Sequence, residues 1–194
     1  MKENRVIITN YGYTKILLES SLTHGFSFDE FQQKVEGKKQ DISGDTAIIF
    51  IYKDGNLASE LAKIIRMMPH LNRYDRVIMT CDTYLIPILD IILYLYRNSM
   101  TYWDHFGRLP SNTLFDDAEV STFRSGKQGL TPAELTVLAL IFDGKKPRDI
   151  AHELTISEKT VSQHKINILN KLGFHNINEM IVYINTAAPQ KHTY

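Results

Sequence analysis

The sequence predicts an α/β domain, with a mostly parallel sheet and helices on both faces, followed by an all-α domain of four helices. Three short apolar runs, residues 5–9, 46–52 and 76–80, alternate with segments of helical period. This βαβ order is typical of a parallel sheet. From residue 130 the pattern changes to closely spaced helical segments. The chain has 194 residues and 43% hydrophobic content, enough for two small cores.

Helical segments in the first half are predicted at 13–25, ending on Gly25, at 57–68, and at 83–96. A further strand is predicted near Phe26–Phe28. The run 84–96 is apolar on most faces but shorter than the roughly 20 residues that span a bilayer, and Asp90 lies inside it. We therefore expect a packed helix and no membrane association. The predicted domains are 1–108 and 128–188, joined by a linker over 109–127 that mixes Pro, Gly, Ser and charges.

The four helices of the second half have recognisable ends. Thr131, Pro132 and Glu134 predict the start of the first helix, as N-cap, N1 and N3 of a capping box. The second helix is predicted over 147–154, and the third from Ser157 to the residue before Gly173. The fourth is predicted from Asn178, as N-cap, to about 187. A three-residue connection between the second and third helices is typical of a helix-turn-helix.

The third helix has an unusual outer face. At 100° per residue, one side collects the apolar residues Val161, Ile168, Leu169 and Leu172. The opposite side carries Lys159, Ser162, Gln163, Ile166, Asn167 and Asn170. An isoleucine among amides, a hydroxyl and a lysine is unusual on the solvent-facing side of a helix. Two simpler interpretations stay open: Ile166 packs on a neighbouring side chain, and Gln163 and Asn167 are solvated surface.

The stretches "LTPAE", "DIAHEL", "ISEKTVSQH", "ILNKLG" and "NINEMI" resemble the LuxR/FixJ-type helix-turn-helix domain over 130–184. The resemblance implies that the third helix is the recognition helix, with base-contacting positions at Ser162, Gln163 and Ile166. The chain departs from the family pattern at Lys146 and Pro147, where a Ser or Asn pair is usual. The complete predicted DNA-binding set is Lys159, Thr160, Ser162, Gln163, Lys165, Ile166, Asn167 and Lys171, in which Lys159, Thr160 and Lys171 contact phosphates. A purely structural role for Lys165 is the alternative.

The first half resembles a receiver domain whose phosphorylation chemistry is degenerate. Asn10 and Tyr11 stand where the acidic pair should follow the first strand. Ile51 or Tyr52 occupies the phosphoryl-acceptor position, and Asp54 comes two or three residues late. Thr80 fits its position, but no lysine matches after the fifth strand. This pattern is similar to the Rcs-type capsule-synthesis auxiliary regulators, and it implies control without phosphorylation. Asp54 as a turn residue is preferred to Asp54 as an unusual acceptor.

The expected partner is double-stranded promoter DNA, bound by a sequence-specific transcription regulator. Formal net charge is zero, and residues 126–194 hold only 8 basic against 6 acidic residues. The family resemblance implies pairing through the fourth helix, with Val182 and Tyr183 as the dimerisation residues, in a homodimer or a heterodimer with another LuxR-type regulator. Part of the apolar run 84–96 is a second surface that could meet another chain. The alternative is an auxiliary protein that docks on such a regulator.

A remoter alternative is a ligand-sensing pseudo-receiver. It rests on Arg66, Arg73 and Arg76 with His70, which could hold an anion. No cofactor, metal site or enzyme activity is predicted, because no catalytic or metal-binding motif appears. Cys81 is the only cysteine, and the first residues lack a signal-peptide pattern, so a cytoplasmic protein is expected.

Overall fold

A five-stranded parallel sheet organises the first part of the molecule. The computed structural model describes residues 5–9, 23–36, 46–51, 56–71, 74–95, 100–104 and 129–186. The strands are β1 (Arg5–Thr9), β2 (Thr23–Ser27), β3 (Thr46–Phe50), β4 (Arg76–Cys81) and β5 (Met100–Asp104). Their order is β2-β1-β3-β4-β5, and all four pairings are parallel. The predicted parallel sheet is confirmed, and its fifth strand, for which the sequence analysis gave no range, is Met100–Asp104.

Three α-helices accompany the sheet in the described α/β unit, which we define as residues 5–104. They are α1 (Phe28–Glu36), α2 (Leu57–Leu71) and α3 (Ile86–Ile92), the last preceded by a 3-10 turn over Thr83–Leu85. The predicted apolar face of α2 is buried, including Leu57, Leu61 and Ile64. Helix α3 is shorter than the predicted 83–96. None of the helices among the described residues has the length and apolar character needed to cross a membrane.

The segment around residue 25 differs from the prediction. Thr23–Gly25 belong to strand β2 and not to the end of a helix, while residues 13–22 lie outside the described residues. The strand expected near Phe26–Phe28 ends at Ser27, because a helix begins there. The Ser27 amide donates to Glu30 Oε2 at 2.8 Å, and the Glu30 amide donates to Ser27 Oγ at 3.1 Å. This reciprocal capping box starts α1 at Phe28.

Four helices form the second part, the helical unit, residues 129–186. They are α4 (Pro132–Phe142), α5 (Pro147–Leu154), α6 (Glu158–Leu172) and α7 (Ile177–Thr186). The predicted capping box of α4 is present: Thr131 N donates to Glu134 Oε2 at 2.8 Å, and Glu134 N donates to Thr131 Oγ1 at 3.3 Å. The predicted extents of α5 and α6 are confirmed, and Lys146 gives α5 no side-chain cap.

The start of α7 corrects a prediction. Asn178 was expected to be its N-cap, but it lies inside the helix. Asn176 supplies the cap, because its Oδ1 accepts from the Glu179 amide at 2.9 Å. Glu179 in turn accepts from the His175 amide at 2.8 Å. Both asparagines are good caps in sequence terms, and the backbone path after Gly173 decides which one is used.

The two units pack on each other through one continuous buried apolar cluster that draws on both. Helix α2 lies against α4 and α7. Arg66 of α2 forms an ion pair with Asp143 at the end of α4. Asn185 of α7 accepts from the Ala58 amide at 3.3 Å, at the start of α2, and the Leu130 amide donates to the Ile91 carbonyl at 3.2 Å. The predicted domain boundaries and linker, between 105 and 128, lie outside the described residues.

Candidate nucleic-acid interface

Helix α6 is held by its ends and by its inner face. Ser157 Oγ accepts from the Thr160 amide at 3.1 Å, and Gly173 ends the helix with φ +79°, a left-handed conformation that favours glycine. The inner residues Val161, Ile168, Leu169 and Leu172 are all buried. They lie on the side of α6 that faces the core, and α6 packs against α4 and α5. The opposite face is therefore directed to solvent.

The outer face of α6 presents the predicted base-contacting residues. Ser162, Gln163 and Ile166 are exposed, as are Lys159 and Thr160 near the helix start. Ile166 is 51% exposed, so half of this apolar side chain is not used in packing. An exposed aliphatic group flanked by an amide and a hydroxyl can contact a thymine methyl and base edges together. About half of the Ile166 side chain is covered by its surroundings, and the exposed half is the part available for such contacts.

Three of the predicted residues have additional neighbours. Thr160 Oγ1 lies 2.8 Å from Ser157 Oγ, so its hydroxyl belongs to the cap of the helix. Gln163 Nε2 donates to Asn167 Oδ1 at 3.0 Å, one turn further along. Lys165 and Asn167 are half-buried, between the outer and inner faces. Thr160, Lys165 and Asn167 border the exposed strip of Lys159, Ser162, Gln163 and Ile166.

Lys171 differs from its predicted role. Its Nζ donates to Glu134 Oε2 at 2.7 Å and to the Gly129 carbonyl at 3.0 Å, and its side chain is only 18% exposed. The ammonium is thus held inside the helical unit and is not turned toward a phosphate. Burial acts to raise the pKa of Glu134, but Lys171 and the Thr131 donors outweigh it and lower that pKa. Lys171 is a structural residue that ties the end of α6 to the start of α4.

The predicted dimerisation residues of α7 have different environments. Val182 is 56% exposed and Tyr183 is 39% exposed. The Tyr183 ring lies 5.8 Å from that of Tyr84 in the α/β unit and 5.5 Å from that of Phe174. Tyr84 also donates its hydroxyl to the Ile184 carbonyl at 3.0 Å, and burial, followed by the charge of Asp82, raises its pKa to about 12. The contact of Tyr84 with α7 joins residues about 100 positions apart, so no local sequence pattern predicts it.

The apolar run 84–96 is largely accounted for within the chain. Most of α3 is buried, whereas Leu95 beyond it is 50% exposed. Leu95 lines a cleft of about 310 Å³ between the units, together with Ile65 and Arg66 of α2 and Leu135 of α4. Both charged residues that line the cleft are already paired, Arg66 with Asp143 and Glu153 with Lys145. The cleft therefore offers no charged group that is directed toward a ligand by the described residues.

The receiver-type site is described only in part. Thr80 is buried at the end of β4, where its carbonyl accepts from the Ile51 amide at 2.9 Å. Asn10, Tyr11, Tyr52 and Asp54 lie outside the described residues, as does Arg73 of the proposed anion cluster. Within the described ranges no group of three His, Cys, Asp or Glu side chains could hold a metal ion.

Comparison with known sequences finds a family model and several relatives that match the helical unit. Residues 128–184 match the model described as "Bacterial regulatory proteins, luxR family". The Fimbriae Z protein of Salmonella typhimurium is 41% identical over 76 residues, which are 38% of this chain and 36% of that protein. The response regulatory protein YgeK of Escherichia coli is 37% identical over 84 residues, 43% of this chain and 52% of that one. The matched part is thus about a third to a half of the length of these relatives.

Comparison with solved structures extends the likeness to the whole fold. The two-component response regulator RcsB in its DNA complex has a TM-score of 0.55 at 19% identity, over 95% of this chain and 100% of that one. RcsB of Salmonella enterica serovar Typhimurium bound to the promoter P1flhDC has a TM-score of 0.50 at 17% identity, over 95% and 98%. The order of a parallel α/β unit and a four-helix unit is therefore that of RcsB. The helical unit, with the helix-turn-helix of α5 and α6, is thus similar in sequence to the luxR family of bacterial regulatory proteins.

Proposed function

We propose that this protein is a cytoplasmic, sequence-specific DNA-binding transcription regulator that acts on promoter DNA. The observation that carries the proposal is the exposed outer face of α6. Ser162, Gln163 and Ile166 are open to solvent while the opposite face of the helix is buried. The DNA complexes of RcsB, which has the same fold, support the same use of the helical unit.

In this proposal α6 lies in the major groove. Gln163 pairs with an adenine edge through two hydrogen bonds, Ser162 contacts a neighbouring edge, and Ile166 packs on a thymine methyl. Lys159 and Lys165 reach phosphates on either side, and the Thr160 hydroxyl, which shares the cap with Ser157, donates to one. Lys171 is left out, because its ammonium is bound to Glu134.

Two alanine variants separate base contacts from phosphate contacts. Gln163→Ala is expected to cost about 1–3 kcal/mol at the preferred site and to relax the preference at one base pair. Lys159→Ala is expected to weaken all sequences alike and to reduce the salt slope of log Kobs against log salt by about 0.9. Fluorescence anisotropy on matched duplexes at several salt concentrations measures both. An unchanged site preference in Gln163→Ala would be incompatible with the docking of α6.

Phosphorylation is not part of the proposed mechanism. Asn10 and Tyr11 replace the acidic pair that holds Mg²⁺ in a receiver, and an isolated Asp54 lacks a metal to neutralise the incoming phosphoryl group. We expect no labelling by small phosphodonors with Mg²⁺, and we expect Asp54→Asn to bind DNA as the wild type does. Intact-mass spectra check both expectations. An acid-labile phosphate that appears at Asp54 only with Mg²⁺ would argue for a receiver function instead.

Dimerisation completes the proposed binding mode. A single module of this kind covers about 600–1,000 Å² of DNA, and two modules on adjacent half-sites strengthen binding. Val182 on α7 is more accessible to a second chain than Tyr183, because the Tyr183 ring is partly covered by Tyr84. Light scattering over a concentration series, with and without DNA, is expected to detect a dimer. A chain that stays monomeric and binds one half-site as tightly as two excludes the homodimer and favours a heteromeric partner.

A further inference from the structure

A hydrogen bond joins Gln163 and Asn167 on the outer face of α6. Gln163 Nε2 donates to Asn167 Oδ1 at 3.0 Å. The two residues are one helical turn apart and therefore lie on the same side of the helix. Gln163 is exposed and Asn167 is half-buried, so the accepting group lies nearer to the body of the unit. The Gln163 amide is thus held by Asn167 on the side that faces the body of the helical unit.

This bond leaves Gln163 with the two groups that an adenine edge requires. A primary amide has two N–H donors and a carbonyl oxygen that accepts. Asn167 occupies one N–H, so the carbonyl oxygen and the second N–H remain available. Adenine presents a donor at N6 and an acceptor at N7 in the major groove, which matches that pair.

We propose that Asn167 is a positioning residue that fixes the orientation of the Gln163 amide for adenine recognition; the inference rests on the proposed DNA-binding function of α6. A glutamine side chain without this partner rotates freely and presents its oxygen and nitrogen in either order. An acceptor on its inner side selects the order in which the nitrogen faces Asn167. Holding the side chain in place before binding also reduces the conformational entropy lost in the complex.

The test measures base discrimination and not affinity alone. Selection from a random duplex library with the full chain is expected to return adenine at one position. The preference for adenine over the other bases there is expected to be about 5- to 150-fold, the range of one good bidentate contact. Asn167→Leu, which is close in size but accepts no hydrogen bond, is expected to reduce this ratio to about threefold or less, because the Gln163 amide is released.

Asn167→Asp is the matched control. The carboxylate keeps the accepting oxygen, so the adenine ratio is expected to stay within about threefold of the wild-type ratio. Its negative charge weakens binding to all duplexes alike through the phosphates, which leaves the ratio unaffected. A Gln–Asn pair that only stabilises the helix predicts a different result, in which both variants change thermal unfolding slightly and neither changes the ratio.

Three results overturn the inference. An adenine ratio in Asn167→Leu equal to the wild-type ratio removes the positioning role and leaves the proposed function intact. Loss of the ratio in Asn167→Asp means that Asn167 donates to Gln163, the reverse of the proposed polarity. Absence of any preferred site for the wild type, measured on the same library, overturns the proposed function and this inference together.

Discussion

Replacing Lys171 by methionine is expected to lower the free energy of unfolding by about 3 kcal/mol. Loss of one partner from a buried ion pair typically costs about 3–5 kcal/mol, because the remaining charge is left without compensation. The low end applies here, since the Lys171 side chain is 18% exposed while Glu134 is 4% exposed. Methionine keeps most of the length of the side chain and removes the ammonium. Chemical denaturation followed by circular dichroism measures the change.

Two further variants test whether the pair is the cause. Lys165→Met removes a half-buried lysine from the same helix and is expected to change the unfolding free energy by less than about 1 kcal/mol. Glu134→Gln combined with Lys171→Met is expected to recover part of the loss, because a neutral amide still accepts from the Thr131 amide. Equal losses in Lys171→Met and Lys165→Met would contradict a specific role for the buried pair.

The stability lost in Lys171→Met is expected to depend on pH through the ionisation of Glu134. The pKa of Glu134 is lowered from its ordinary value of 4.5 in the folded protein, so its ionised form contributes stability above that value. This contribution disappears as the pH falls through the lowered pKa. The difference in stability between wild type and Lys171→Met is therefore expected to be complete at neutral pH and to shrink below pH 4.5.

The helical unit could be predicted closely because its signals are local. The capping box of Thr131 and Glu134, the Ser157 cap and the Gly173 end each involve residues at most four positions from the helix end that they define. Helical periodicity likewise separates the buried and exposed faces of α6. Lys171 was included among the phosphate contacts with the family resemblance, which does not show what the ammonium binds inside the fold. Glu134, 37 positions away, is brought to Lys171 only by folding.

The α/β unit and its contacts were harder to predict. Strand β2 has the sequence Thr-His-Gly-Phe-Ser, which lacks the apolar β-branched run that marks β1, β3 and β4. Strand β2 is instead defined by its parallel pairing with β1, which its own sequence does not indicate. The ion pair of Arg66 with Asp143 joins residues 77 positions apart. No periodic or motif-based signal connects such residues, so the packing of the two units could not be derived from the sequence.

Gly129→Ala is expected to destabilise the junction between the two units. A Cβ at residue 129 would lie 2.6 Å from Tyr94 Cδ1 and closer still to the Tyr94 Cβ and Cγ. These atoms are near the Tyr94 backbone, so rotation of the ring cannot make room. Overpacking of this kind costs about 1–3 kcal/mol, and here the shift also strains the hydrogen bond from the Leu130 amide to the Ile91 carbonyl. Chemical denaturation measures the loss of stability, and small-angle X-ray scattering measures the separation of the units.

Second-site substitutions at Tyr94 identify the clash itself. Tyr94→Ala retains Cβ, which is one of the atoms in conflict, and it is therefore expected to restore little of the stability lost in Gly129→Ala. Tyr94→Gly removes that atom and is expected to relieve the overlap, so the coupling free energy between the two sites should be larger for glycine than for alanine. The Lys171 ammonium donates to the Gly129 carbonyl, so displacement of residue 129 also reaches the end of α6. Wild-type stability and dimensions in Gly129→Ala would mean that Gly129 and Tyr94 are not in this close contact.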